Sequence, residues 1–486
     1  MSELLQHARA LLARAMTFYR DDPRTASWLR DRMERLNQPL RIAVSGRVKA
    51  GKSTLINALL GEELAPADAE ERTQVNTFYQ YGPEPKILVH TPAGGVQKFP
   101  VNTLDANAIR NLQYWRPDEV ARLVIETPSP SLKAITFIET PGVASSAVQE
   151  TGRSALAQVL AEADAVLYLT RQLHQTDLQF LQSVHELQTS RTAPINTIVA
   201  YSRADETGSG GEEALPAAER IAERYRNDPT LRLFTQHVNP VVGILGQAAA
   251  TLTEEEFTAL RQLAQLPEST LEELVLSADR FANSTAVDTV PPEVRQRLLN
   301  RLGQYGVERS LTLLLQGEVA DSASLRAVLR DESGLSTLQE TLHHQFVEHH
   351  ELLRARSAAM AVDMVLRANP RPGIQALRAE FDRLLVNARE WRELSLLSAL
   401  ESGQVRFPRP LQNEAKRLLG GSGPDVRSRL GKDENALEVD LAEEAAAALA
   451  RWREQVVNPL HDRVHRDAAR AVLRCCEQLV AVQLRR

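Results

Sequence analysis

Residues 46–54 read Gly46-Arg47-Val48-Lys49-Ala50-Gly51-Lys52-Ser53-Thr54. They follow the apolar stretch Leu40-Arg41-Ile42-Ala43-Val44 and run into the helical pattern Thr54-Leu55-Ile56-Asn57-Ala58-Leu59-Leu60. No other stretch constrains the fold as much, because a G-x-x-x-x-G-K-[ST] loop cradles phosphates only at a strand-to-helix turn. It therefore commits the chain to an α/β domain with a mostly parallel sheet wrapped by helices. The loop curls so that its backbone N–H groups face inward, and with the helix N-terminus they hold the phosphates. Gly46, Lys49, Ala50, Gly51, Lys52, Ser53 and Thr54 are the expected contacts; Lys52 would reach the β- and γ-phosphates, and Ser53 would ligate Mg²⁺.

Three further segments decide which nucleotide. The strand pattern Ile135-Thr136-Phe137-Ile138 leads into Glu139-Thr140-Pro141-Gly142, a D-x-x-G element with Glu in the first place. Its carboxylate would hold Mg²⁺ through water, and its glycine N–H would meet the γ-phosphate. Asn196-Thr197-Ile198-Val199-Ala200-Tyr201 leads into Ser202-Arg203-Ala204-Asp205, a variant of the [NT]-K-x-D guanine element. A carboxylate at 205 accepts both N–H donors on guanine's base edge, which adenine does not present. Ser202 stands where Asn or Thr is usual. Arg203 replaces the lysine whose stem covers the base, and a guanidinium covers a ring face at least as well. Val241-Val242-Gly243 is a weaker fourth element, which brings Val242 and Gly243 to the base end. The order of these elements favours GTP over ATP.

The run Gly46 to Asn57, the sequence Ile56-Asn57-Ala58-Leu59-Leu60-Gly61, and the stretch Leu64-Ala65-Pro66 to Arg72-Thr73 resemble dynamin-like GTPases. The resemblance is to bacterial dynamin-like proteins, chiefly the shorter member of the actinobacterial isoniazid-inducible pair. It is specific over residues 38–205 and continues as helical pattern beyond. It implies a GTPase that hydrolyses GTP to GDP and couples turnover to peripheral membrane binding and remodelling. It also implies Thr73 as the switch threonine completing Mg²⁺ coordination, with Gly142 in the second switch. The implied partners are GTP and GDP, an anionic lipid surface, and a homodimer through GTPase domains or a heteromer with a second dynamin-like protein. The implied location is cytoplasmic, on the inner face of the plasma membrane. Val48 departs from the Gln many dynamins carry, and Lys49 replaces a serine. Guanylate-binding proteins place a cationic finger at that loop position, so Lys49 is either such a finger, acting on charge between the β- and γ-phosphates, or a solvated side chain.

The chain has 486 residues and a formal charge of −6, which gives nucleic-acid binding no support. Only seven of its 57 basic residues are lysines, and two of those lie in the phosphate loop. The two cysteines, Cys475 and Cys476, are adjacent, so no disulfide framework is expected. There is no signal-peptide pattern and no apolar run of about 18 residues to cross a membrane.

Two helices, 3–20 and 25–36, precede the first strand and form N-terminal neck helices over 1–38. A GTPase domain is expected over 39–335, with strands near 40–45, 75–81, 85–90, 134–139, 165–170, 196–201 and 238–243, turning helical from about 251. A helical neck and trunk would occupy 336–486. The stripe Leu338, Leu342, Phe346, His349, Leu353 predicts a packed helix face, and Pro370-Arg371-Pro372-Gly373 turns the chain. The pattern 438–485 reads as one helix of roughly 70 Å, interrupted at Asn458-Pro459, whose GTPase-proximal end would pair with the N-terminal helices. His343, His344, His349, His350, His461 and His465 read as structural or solvent-facing.

Residues 403–437 lose periodicity and form the candidate membrane tip. From 404 to 432 there are seven basic and two acidic residues. In this reading Arg406, Arg409, Lys416 and Arg417 meet anionic headgroups while Phe407, Leu411, Leu418 and Leu419 wedge between them. The competing readings are a solvated connector, a basic patch on the acidic GTPase domain, or a tip at Pro370–Gly373 instead. For the whole chain, two alternatives stand beside the dynamin-like reading. One is a GTPase switch in ribosome or complex assembly; the other is a weakly catalytic scaffold subunit of a heteromeric pair.

Overall fold

The structure is a computed structural model that describes residues 2–65, 75–100, 119–141, 162–186, 195–208, 211–285, 287–387, 389–401, 405–423, 425–433 and 436–483. Its strands are β1 (Leu40–Gly46), β2 (Asn76–Tyr81), β3 (Lys86–His90), β4 (Val96–Pro100), β5 (Arg122–Thr127), β6 (Ile135–Glu139), β7 (Ala165–Thr170), β8 (Thr197–Ser202) and β9 (His237–Val241). They form one sheet in the order β4-β3-β5-β2-β6-β1-β7-β8-β9. The run β6-β1-β7-β8-β9 is parallel throughout. Every residue of β7 and β8 is buried, because a parallel strand covered on both faces is apolar continuously rather than alternately. β2 pairs antiparallel with β6 and sets Thr77 opposite Glu139. The expected strands are found within a residue or two, but β4 and β5 were not anticipated. β4 is an edge strand carrying Lys98 and ending in Pro100, as unpaired edges often do.

The helices are α1 (Glu3–Phe18), α2 (Pro23–Arg35), α3 (Lys52–Leu60), α4 (Gln175–Glu186), α5 (Ala214–Arg226), α6 (Gly243–Thr251), α7 (Glu254–Leu263), α8 (Glu268–Val275), α9 (Ala278–Asn283) and α10 (Pro292–Gln316). Then follow α11 (Ser322–Glu332), α12 (Leu335–Leu342), α13 (His350–Ala368), α14 (Ile374–Asn387), α15 (Arg389–Glu401), α16 (Arg409–Lys416), α17 (Val426–Leu430), α18 (Glu438–Val457) and α19 (Arg463–Gln483). One apolar core joins α1, α3 and the α12–α19 helices to one side of the sheet. A second core packs α4 to α11 on the other. The chain is thus an α/β domain built on a mostly parallel sheet, with a helical bundle attached.

α12 runs through a π-turn at His343–Val347 towards α13. Leu338, Leu342, Phe346 and Leu353 are buried, as their spacing required. α1 packs along α13 and α14. Tyr19 donates to the carbonyl of Asn369 at 2.8 Å, and Arg371 pairs with Asp21 at 2.6 Å. The Pro370–Gly373 turn is therefore tied to the α1–α2 corner.

Residues 438–483 do not form one rod. α18 ends at Asn458, whose ψ of 118° leaves the helix. The residue before a proline is driven out of the helical region, and here it precedes Pro459. α19 folds back along α18 with Leu441, Ala445, Ala448 and Trp452 buried on one side of the seam and Ala469, Val472, Cys476 and Leu479 on the other. Each arm spans about 30 Å, less than half the expected length. The N-terminal helices pair with α13 and α14 rather than with this hairpin.

Candidate active site

β1 delivers the phosphate loop and α3 carries it away. Gly46 has no alternative there, since a Cβ would lie 2.4 Å from the Leu169 carbonyl oxygen of β7. Gly51 is the N-cap of α3 and offers no side chain, so the first amides of α3 have no side-chain cap and can take an anion. Ala50 is buried in the loop, and Thr54 lines the cavity described below. Lys52 reaches back over the loop, its Nζ 3.2 Å from the Arg47 carbonyl oxygen and 3.5 Å from that of Gly46. Burial pulls its pKa down, and the Glu139 charge partly restores it. Lys49 is exposed and holds φ of 61°, a left-handed conformation that costs a non-glycine residue about 1 kcal/mol.

Glu139 ends β6 and meets the first turn of α3. Ser53 Oγ donates to its Oε1 at 2.5 Å, and Tyr79 Oη donates to its Oε2 at 3.1 Å. The extra methylene relative to Asp lets the carboxylate reach Ser53 directly. Burial pushes the Glu139 pKa up, opposed by the Ser53 hydrogen bond, the Lys52 charge and the Tyr79 hydrogen bond. Thr140 Oγ1 fixes the strand end by donating to the Val44 carbonyl at 3.2 Å. A hydroxyl beside a buried carboxylate is a hard-oxygen donor set that fits Mg²⁺. Tyr79 escaped the sequence reading because no local spacing links it to residue 139. Only the antiparallel pairing of β2 with β6 brings the two together.

From this loop a cavity of about 670 Å³ extends to Asp205. Ala50, Gly51 and Thr54 line one end and Ser202, Arg203 and Asp205 the other. Ser202 Oγ and Asp205 Oδ1 are buried without a protein partner. Burial is the main reason the Asp205 carboxyl sits above its usual range. Arg203 holds φ of 55° and pairs with Glu206 at 2.7 Å. Gly243 lines the cavity as expected, but Val242 does not: its side chain is buried in the second core, its N–H donates to Ser333, and the flanking Val241 and Gly243 form the wall. Thr73 and Gly142 lie outside the described residues.

The proposed wedge at 404–432 is not at the surface. Phe407 is 6% exposed and packs edge-on against Trp452 at 5.3 Å. Leu418 and Leu419 are buried, and Leu411 is half-buried against the same core. Arg406 and Arg409 are exposed, while Lys416 and Arg417 are half-buried. Of the remaining cations, Arg429 pairs with Glu393 at 3.2 Å, Lys432 with Glu444 at 3.4 Å and Arg427 with Glu438 at 3.6 Å. Those carboxylates lie outside 404–432, so a count along the chain did not include them. Three of the large exposed aliphatics lie nearby, at the α18–α19 turn: Val457 at 77%, Leu460 at 91% and Val464 at 56%; others stand apart from it, among them Leu437 and Val439 at the start of α18 and Leu276 and Leu315 on the nucleotide domain. Among the described residues no helix is long and apolar enough to cross a membrane.

Residues 42–199 match the model of the Dynamin family. Isoniazid-induced protein IniC of Mycobacterium tuberculosis is 34% identical over 92% of this chain and 91% of its own. Isoniazid-induced protein IniA of the same organism is 29% identical over 34% of this chain and 26% of its own. The bacterial dynamin-like protein of Nostoc punctiforme is 32% identical over 21% of this chain and 16% of its own. A solved oligomerised bacterial dynamin pair aligns with 99% of this chain and 74% of its own, at a TM-score of 0.35 and 14% identity. The chain belongs to the dynamin family of GTPases, as a bacterial dynamin-like protein similar to IniC.

Proposed function

We propose that this protein binds and hydrolyses GTP and couples turnover to peripheral contact with an anionic membrane. The observation that carries the reading is the cavity that runs from Ala50, Gly51 and Thr54, the loop residues flanking Lys52 and Ser53, to a buried acceptor oxygen without a protein partner at Asp205. Lys52 swings from the loop carbonyls to the β- and γ-phosphates. Ser53 and Glu139, the latter through water, would hold Mg²⁺, which when bound neutralises charge on the phosphates. Asp205 accepts from the guanine edge, with Ser202 beside it and Arg203 over the ring. By the resemblance to dynamin-like GTPases, Thr73 would complete Mg²⁺ coordination as the switch threonine, and Gly142 would offer its N–H to the γ-phosphate. Lys49, held left-handed at the apex of the loop, is the cationic finger.

The membrane contact belongs at the α18–α19 turn. Val457, Leu460 and Val464 project there, and Arg453, Arg463 and Arg466 are exposed around them. Glu454, Asp462 and Asp467 are exposed there too, so the contact rests on the three aliphatic side chains entering the headgroup layer. The protein would act in the cytoplasm on the inner face of the plasma membrane. Its GTPase domains would pair with each other or with those of a second dynamin-like protein. A switch in ribosome assembly needs a compact basic RNA-binding domain, whereas the C-terminal residues here fold into paired helices. Phosphate release from GTP, measured with and without anionic liposomes, tests the reading. Turnover that rises with liposomes is expected, and a protein that neither turns over GTP nor sediments with vesicles would refute it.

A further inference from the structure

The wall of the base cavity facing Asp205 is built from a distant part of the chain. It is α10, and α10 is broken there: Gly303 has φ of 68° and ψ of 172° inside an otherwise helical run. That region of backbone space is open to glycine almost alone. A Cβ at 303 would lie 3.9 Å from Asp205 Oδ2 and 3.7 Å from Ile244 Cγ2. It would stand in van der Waals contact with the carboxylate and narrow the space beside it. One turn on, a Cβ at Gly306 would lie 2.8 Å from Leu245 Cδ1 of α6. Two glycines thus let α10 approach the α6 side of the cavity and bend at the base end. Around the bend, Tyr305 donates to Glu332 at 3.3 Å, and Arg309 pairs with the same carboxylate at 2.8 Å. These contacts anchor the far side of α10 to α11. Gln304 and Tyr305 continue the cavity wall beyond the bend.

Asp205 alone recognises guanine by its ring N–H and its exocyclic amino group. The amino group is the larger of the two and needs room beyond the carboxylate. We propose that Gly303 is a specificity-determining position: its kink leaves the space that guanine's 2-amino group occupies beside Asp205 and brings α10 against that edge of the base. This rests on the guanine reading of the cavity and adds a wall from outside the nucleotide-binding motifs. Guanine nucleotides gain from it, and hypoxanthine nucleotides, which lack the 2-amino group, do not.

The experiment is calorimetric binding of GDP and of inosine diphosphate, with Mg²⁺, to the full chain and to its Gly303→Ala variant. The wild type is expected to prefer GDP at least tenfold. The variant is expected to lose GDP affinity tenfold or more while inosine diphosphate changes less than threefold, so the preference collapses. Equal losses for both nucleotides would mean general backbone damage and would overturn the proposal, as would an unchanged preference. If the variant does not fold, amide hydrogen exchange on the wild type decides: residues 302–306 should be protected by GDP and not by pyrophosphate. Protection that does not depend on the base overturns the proposal. A wild type that binds GDP and ADP equally would instead remove the guanine reading itself, which separates the two failures.

Discussion

The nucleotide cavity and the helical bundle around 404–432 are both rich in polar side chains, and they treat them oppositely. In the cavity, Asp205 Oδ1 and Ser202 Oγ are buried with nothing to bond, and Lys52 rests on carbonyls of its own loop. In the bundle the charged groups meet opposite charges: Arg429 with Glu393, Lys432 with Glu444, and Arg451 with Glu414 at 2.5 Å, and the buried atoms left without a partner there are donors, the Nε of Arg417, Arg427 and Arg429 and the Trp452 indole nitrogen, rather than acceptors facing a cavity. A buried polar atom left without a partner costs about 1–3 kcal/mol. A chain keeps several together where a ligand supplies the missing bonds. A cation already matched within the fold has little left to offer a membrane. The difference separates a site from a scaffold, although both look like polar, glycine-containing stretches.

The largest effect that would break this contrast is at Phe407. Buried against Trp452, His461 and His465, it should cost about 3–5 kcal/mol of stability as Phe407→Ala, read by chemical denaturation. A wedge side chain standing in solvent would cost under about 0.5 kcal/mol, and that outcome would return the segment to the surface. On the cavity side, Lys52→Ala should weaken GTP binding by roughly 100-fold, about 2.7 kcal/mol, without lowering the melting temperature, because among the described residues the ammonium bonds only to loop carbonyls. A large loss of stability with little change in affinity would make Lys52 part of the scaffold.

The turn between α18 and α19 sharpens the comparison further. Val457→Glu with Leu460→Glu should reduce co-sedimentation with anionic vesicles at least tenfold and leave basal GTP turnover intact. Arg406→Ala alone should weaken it only a few-fold, since a surface cation contributes about 1 kcal/mol. Full vesicle binding by the double glutamate variant would place the contact elsewhere.

The smallest expected effect concerns Glu139. Burial raises its pKa, so the folded apo protein favours the protonated carboxyl. That contribution is complete below the ordinary carboxylate range and is lost as pH rises through the raised value. Glu139→Gln should therefore melt on the order of a degree or two above wild type at neutral pH and show no advantage in acid. It should also lose the Mg²⁺ dependence of nucleotide affinity. A variant no more stable at pH 7 than the wild type would show that Ser53 and Tyr79 already compensate the charge.

What was legible in the sequence follows from range. The phosphate loop, Glu139 and Asp205 each end a strand whose apolar run is visible, and parallel pairing aligns those ends on one edge of the sheet. Tyr79 and Gly303 were not legible, because each acts on a residue 60 or more positions away through sheet pairing or helix packing. The α18–α19 rod failed differently: apolar periodicity continues across Asn458-Pro459, and only the backbone geometry before a proline shows that the chain reverses. The basic count at 404–432 failed because helices bring in carboxylates from 393, 438 and 444.

The most direct test of the account is steady-state phosphate release from GTP and from ATP by the purified chain with Mg²⁺, under identical conditions. Asp205 and the Ser53–Glu139 pair predict turnover of GTP with at least a tenfold preference over ATP, abolished by chelating the metal. Equal turnover of the two nucleotides, or release that persists without Mg²⁺, would contradict it.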